Sequence, residues 1–86
     1  MWNSVLHALN GTKIVNDTTE LTQGFDAIVI LEDTVFTNIK VSGVDVKSTY
    51  ITTPATAVKA GAIIRPISGT RFSGVKLTSG SIAIVL

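Results

Sequence analysis

The residues that could do nucleophilic or metal chemistry in this chain are few. One histidine, His7, lies near the N-terminus, and there is no cysteine. Nucleophilic catalysis needs a serine, threonine or cysteine beside a base that a third group orients. A zinc site needs several histidine or cysteine ligands. We therefore expect neither kind of site, and we interpret His7 as a partly exposed residue of a short helix.

Carboxylates are the second group that could carry acid–base or cation chemistry. Glu32 and Asp33 are adjacent, whereas Asp26 and Asp45 are isolated near the ends of predicted strands. The closely spaced acidic motif of a calcium loop is absent from the sequence. We interpret these side chains as solvated turn residues. A cation site would require distant carboxylates to converge in space, namely Asp17, Glu20, Glu32 and Asp33.

Phosphate and nucleic-acid binding are also weakly supported by the sequence. The seven glycines are scattered singly, as turn residues are, and form no phosphate-binding loop. The net charge is only +1, which leaves little surplus for a polyanion. We expect no cofactor, no nucleic-acid partner and no membrane partner, and we interpret the remaining basic residues near Phe72 as solvated strand positions: Lys59, Arg65, Arg71 and Lys76.

The composition points to assembly. Hydrophobic residues make up 45% of the chain and charged residues 15%, against about 25% charged in a typical globular domain. A chain of this length buries only roughly 60–65% of its unfolded surface, and small domains often gain stability by oligomerising. The longest apolar runs, 27–31 and 82–86, are far shorter than the ~20 residues of a membrane helix. The N-terminus lacks a basic, apolar signal segment, so we expect synthesis in the cytoplasm.

The pattern of residues predicts an all-β fold. Ten valines, ten isoleucines and twelve threonines favour strands, because β-branched side chains pack well on a pleated surface. Short apolar stretches alternate with turn signals, as in a small antiparallel sandwich or barrel of about six to eight short strands. Glu32-Asp33, Ser42-Gly43, Ser68-Gly69 and Ser79-Gly80 are the predicted turns. The predicted strands are 25–31, 34–41, 46–51, 62–67, 71–77 and 81–86.

Residues 1–23 form a predicted arm and connector, and residues 24–86 the β domain. Trp2, Val5, Leu6 and Leu9 have the spacing of one helical face, and Asn10-Gly11 could end that helix. Alternatively, Asn10-Gly11 is a hairpin turn between residues 5–9 and 12–15. The polar run 16–23 predicts a connector. Two or three helical turns are unstable alone in water, so the arm must pack on its own domain or on another chain.

Residues 24–86 resemble small β-rich structural proteins of tailed bacteriophages, of the capsid decoration (cement) and head-fibre kind. The resemblance lies in turn glycines, one phenylalanine per hairpin and β-branched strands, in segments 24–36, 58–64, 69–73 and 76–84. It implies a non-enzymatic virion protein that forms trimers or other homo-oligomers on a capsid and contacts a major capsid protein. It transfers no functional residues, because the shared pattern is one of packing.

Three classes of function follow, and a virion structural protein is the expected one. The candidate attachment and oligomer contacts are the two apolar ends of the chain: Trp2, Val5, Leu6, Leu9, Ile82, Ile84 and Leu86. The alternative is a small binding module for a receptor or carbohydrate, which would need Trp2, Tyr50 or Phe72 exposed. An enzyme is the least supported class.

Overall fold

The computed structural model describes residues 11–86. Strands make up 57% of the structure and helix 5%, and one antiparallel sheet of six strands curls into a half-barrel. The predicted all-β fold is therefore confirmed. The elements are β1 (Thr12–Val15), β2 (Leu21–Phe25), β3 (Ala27–Val41), β4 (Val44–Asp45), α1 (Lys47–Tyr50), β5 (Ile63–Ile64) and β6 (Phe72–Val85).

The two long strands β3 and β6 form the centre of the sheet. They pair antiparallel from Ala27 opposite Val85 to Val41 opposite Phe72. On the other side of β6, β1 pairs with its C-terminal part and β2 with its N-terminal part. β4 and β5 likewise pair with the two ends of β3. The short strands thus extend the central ladder on both sides.

The central ladder bends near its middle. The pairing of β3 with β6 shifts register between Ile30 and Glu32 and again between Glu32 and Val35. Thr34 at the bend is fully buried, and its hydroxyl donates to the Glu32 carbonyl at 2.7 Å. Gly80 lies against Thr34 with φ of +94°. Because bulges bend and twist the strands that carry them, these irregularities curl the sheet.

The inner, concave face of the sheet carries the main hydrophobic core. Phe72 lies at one end of it, with ring centroids 5.2 Å from Phe25 and 5.2 Å from Tyr50. The Tyr50 ring meets Phe72 edge-on at 68°, so α1 covers this end of the core. The other buried members of the core are Val15, Ile28, Ile30, Phe36, Ile39, Val75, Leu77, Ile82 and Ile84.

Two of the predicted turns are wrong. Glu32-Asp33 and Ser79-Gly80 lie inside β3 and β6, so four predicted strands merge into two long ones. The two segments face each other across the ladder, with Glu32 opposite Ser81. Polar residues and glycine suit a sharp bend within paired strands as well as a hairpin turn. The local sequence does not distinguish the two.

The predicted strand 46–51 is also wrong, and strand 62–67 shortens to Ile63–Ile64. The Asp45 Oδ1 atom accepts from the backbone N–H of Lys47 at 3.0 Å and of Ile39 at 3.3 Å. This side chain occupies donors that a continuing strand would use, so β4 ends and α1 begins. Pro66 cannot donate to a ladder and follows β5 closely.

The predicted connector 16–23 is wrong at its C-terminal end, because Leu21–Phe25 is strand β2. Residues 12–15 are a strand, as the hairpin alternative requires, and that strand pairs with β6. The predicted helix face of Trp2, Val5, Leu6 and Leu9 lies outside the described residues. The same holds for the first strand of the alternative hairpin.

Candidate functional site

The sheet has a second apolar surface on its outer, convex face. Side chains alternate between the two faces of a strand, so residues next to the core positions point outward. Ile14 pairs with Ala83, Ala83 with Val29, and Val29 with Ile63. These four residues form one row across β1, β6, β3 and β5, which we call the outer row. The row places four apolar side chains side by side on the outside of the protein.

The outer row is open to solvent at both ends. Ile14 is 54% exposed and Ile63 37% exposed, whereas Val29 and Ala83 are half-buried. Leu31, on the same strand as Val29, is 47% exposed. Isolated exposed apolar residues are ordinary, but a contiguous group typically marks an interaction surface. The outer row together with Leu31 is therefore the candidate functional site.

A small packed cluster supports the outer row from one side. Ala27 and Val85 pair with each other across β3 and β6 and are 2% and 5% exposed. Val29 packs against them. Their tight packing holds the neighbouring outer positions in place, since buried side chains have few alternative rotamers. The two central residues of the outer row, Val29 and Ala83, thus lie on β3 and β6, the most extensively paired strands of the sheet.

Charged residues border the outer row on two sides. Arg65 directly follows Ile64, the end of β5 that pairs with Ile28, so it lies on the side of the outer row toward Ala27. Glu32 lies on the other side, opposite Ser81, where two residues of β3 face one of β6. Both side chains are exposed. Within residues 11–86, neither takes part in any of the four ion pairs, which use other residues.

The structure separates the predicted contact residues. Ile82 and Ile84 are fully buried in the core of the chain itself and have no exposed side-chain surface. Leu86 is half-buried against the same core, and its backbone N–H donates to the Gly11 carbonyl. The predicted contacts Trp2, Val5, Leu6 and Leu9 lie outside the described residues.

Sequence reasoning missed the residues of the outer row. The signal was present in the two apolar runs 27–31 and 82–86, because uninterrupted apolar residues indicate a strand that is covered on both faces. Val29 and Ala83 are the outward-facing members of these runs. Ile14 and Ile63 carried no such signal, since they reach the row only through the pairing of β1 and β5.

Three carboxylates, those of Glu20, Asp33 and Asp45, have partners that favour the ionised form and lower the pKa. A hydrogen bond and the charge of Lys40 lower the pKa of Glu20. The backbone N–H of Ala60, followed by Lys59, lowers the pKa of Asp33. Burial raises the pKa of Asp45, but the N–H groups of Lys47 and Ile39 and the Lys47 charge outweigh it, so the pKa is lowered. A general acid that works near neutral pH needs a raised pKa instead.

Among residues 11–86, no three histidine, cysteine or acidic side chains come together as a metal site would require. The four carboxylates that could have formed a cation site, Asp17, Glu20, Glu32 and Asp33, do not come together. Glu20 instead pairs with Lys40 at 2.7 Å, and Asp33 pairs with Lys59 at 3.3 Å. A shallow cavity of about 190 Å³ lies along the β1–β2 connection. Its polar lining side chains are all exposed, so it gathers no desolvated binding group.

Two of the three aromatic residues named for a ligand site, Tyr50 and Phe72, are engaged within the chain, and Trp2 lies outside the described residues. Phe72 is 1% exposed, so it offers no face to a sugar or a base. The Tyr50 hydroxyl accepts from the Ile67 N–H at 3.0 Å, and its ring packs on Phe72. Arg71, one of the basic candidates, pairs with Asp26 at 2.7 Å. These residues stabilise one end of the half-barrel.

No helix in the described part of the chain has the length and apolar character needed to span a bilayer. Comparison with known proteins finds no matching family model, no matching curated protein and no matching solved structure.

Proposed function

We propose that this chain is a non-enzymatic structural protein of a virion, a capsid decoration protein that self-associates and binds the capsid surface. The observation that supports it most is the outer row with Leu31. Exposed apolar side chains grouped on the face of a sheet favour a protein–protein contact. The small fraction of charged residues and the resemblance to phage structural proteins point the same way.

The chemistry of the described side chains supports the same proposal. Apart from Glu32, the acidic side chains of the described residues pair with lysine, arginine or backbone N–H groups, which is the arrangement of structural residues. The aromatic rings of Phe25, Tyr50 and Phe72 pack on one another. A contact surface that needs no reacting group is consistent with this distribution of polar and aromatic residues.

The proposal can be tested on gradient-purified particles of the tailed phage whose genome encodes this chain. The chain should be present in a fixed ratio to the major capsid protein, measured by quantitative mass spectrometry. Purified chain should rebind, saturably, to particles that lack it. Recovery of the chain only in the soluble fraction would contradict the proposal. A location at the tail tip would contradict capsid decoration and favour the receptor-binding alternative.

A further inference from the structure

We propose that the outer face is a two-fold contact between two copies of this chain. In this contact the outer row of one copy packs on the outer row of the other, and Arg65 of each copy pairs with Glu32 of the other. The inference deepens the proposed function, on which it rests, by naming the surface and the symmetry of self-association.

The centre of the contact is apolar. Ile14, Val29, Ile63 and Ala83 lie side by side in the outer row, and Leu31 lies beside it. Three of these side chains are at least 37% exposed. The centres of protein interfaces are depleted in charged residues. Two sheets that pack face to face interdigitate such side chains at a separation of about 10 Å.

The charges at the border select a second copy as the occupant. Arg65 lies on the side of the outer row where Ala27 is, and Glu32 lies on the opposite side, on the neighbouring strand. The four ion pairs of the described residues leave both side chains out. A two-fold interface uses the same patch on both subunits, so the patch must be complementary to itself. One positive and one negative side chain on opposite sides of an apolar row meet that condition.

A two-fold axis in the plane of the contact could run along the outer row or parallel to the strands. Only the axis along the outer row brings opposite charges together. Rotation by 180° about an axis along the outer row stacks the outer row of one copy on that of the other. It also places the Ala27 side of one copy against the Glu32 side of the other. Arg65 of one copy then faces Glu32 of the other, and the pair occurs twice. Rotation about an axis parallel to the strands keeps both arginines on the same side, where the acidic residue next to Ala27, Asp26, already pairs with Arg71. The contact therefore has a defined orientation, and among the trimers or other homo-oligomers that the resemblance implies it selects a dimer.

The test is the mass of the full chain in solution, measured by sedimentation velocity over a range of concentrations at low and moderate salt. Arg65→Glu and Glu32→Arg should each weaken the dimer at least tenfold, because each single change places like charges together. The double variant should recover most of the affinity. Ile14→Ser should weaken the dimer as well. Val44→Ser, which changes a 62% exposed residue outside the outer row, should leave it unchanged.

Circular dichroism on every variant keeps loss of folding apart from loss of association. A monomer at all concentrations overturns the proposal, as does a trimer or a dimer indifferent to both charge reversals. A monomer that dimerises once residues 1–10 are removed also overturns it, since the arm would then cover the outer row. A monomer found on capsids contradicts this inference alone. A dimer absent from particles contradicts only the proposed virion function.

Discussion

Gly80 is the residue on which the bend of the sheet depends most directly. A side chain at this position would collide with the Thr34 hydroxyl, and its Cβ would lie 2.6 Å from the Asp33 carbonyl oxygen and 2.7 Å from the Thr34 Cα. Its φ of +94° is itself unfavourable for any residue with a side chain. The bend and the close approach of the two central strands therefore need glycine here.

We predict that Gly80→Ala lowers the free energy of unfolding by about 3 kcal/mol, from backbone strain and overpacking together. Urea denaturation measures the loss. Gly43→Ala is the matched control, because Gly43 has φ of +78° with nothing near its Cβ position. That variant should lose only about 1 kcal/mol, the cost of the backbone conformation alone. Equal losses in the two variants would contradict the role of the contact with Thr34.

The sequence shows that the residues of the outer row are apolar, but it does not show that they lie side by side on one face of the sheet. Val29 and Ala83 belong to apolar runs that indicate burial on both faces. Ile14 and Ile63 lie in short strands whose apolar residues have no distinctive pattern. They join the row because Ile14 pairs with Ala83 and Ile63 with Val29. Pairing between strands that are distant in sequence therefore determines which residues form the outer row.

At the scale of elements, α1 closes one end of the half-barrel through a single tyrosine. The Tyr50 ring packs on Phe72, and its hydroxyl accepts from the Ile67 N–H at 3.0 Å. The segment between β5 and β6 is thus tied to α1 by this hydrogen bond. The β-branched and aromatic side chains of residues 46–51 predict a strand. The hydrogen bond from the Lys47 N–H to the Asp45 carboxylate favours a turn into α1 instead.

We predict that Tyr50→Phe costs about 1 kcal/mol of stability and leaves the core intact, because only the hydroxyl is removed. Amide hydrogen exchange should show faster exchange at Ile67, with unchanged protection in β3 and β6. Retained protection of the Ile67 amide would show that the hydroxyl does not hold this segment. Thr37→Val serves as the control, since it removes an exposed hydroxyl that bonds only Thr78 at 2.7 Å.

For the whole molecule, three carboxylates with lowered pKa values contribute to the response to acid. A group with a lower pKa in the folded state contributes stability above its unfolded pKa, and the contribution is lost as pH falls through the folded pKa. Asp45, with its usual value of 3.8, is one such group. Glu20 and Asp33 act in the same direction through Lys40 and Ala60. Exposure limits each contribution, so the combined effect is modest.

We therefore predict that the free energy of unfolding falls as pH decreases from about 5 to about 2. Urea titrations at several pH values measure the slope. Asp45→Asn should be less stable at neutral pH and show a shallower slope, because the variant retains no carboxylate to titrate at that position. Parallel curves for the variant and the natural chain would contradict the contribution of Asp45.

The amino-acid sequence by itself determined the fold class, because β-branched residues and their period-two alternation are local properties. It also determined which segments are apolar enough to be central strands. The tertiary structure alone decided that Glu32-Asp33 and Ser79-Gly80 are bends within β3 and β6, since each requires the other across the ladder. It also decided that Ile82 and Ile84 face the core while Ala83 faces outward. Both depend on strand pairing between distant segments, and a strand's register determines which of its side chains are buried.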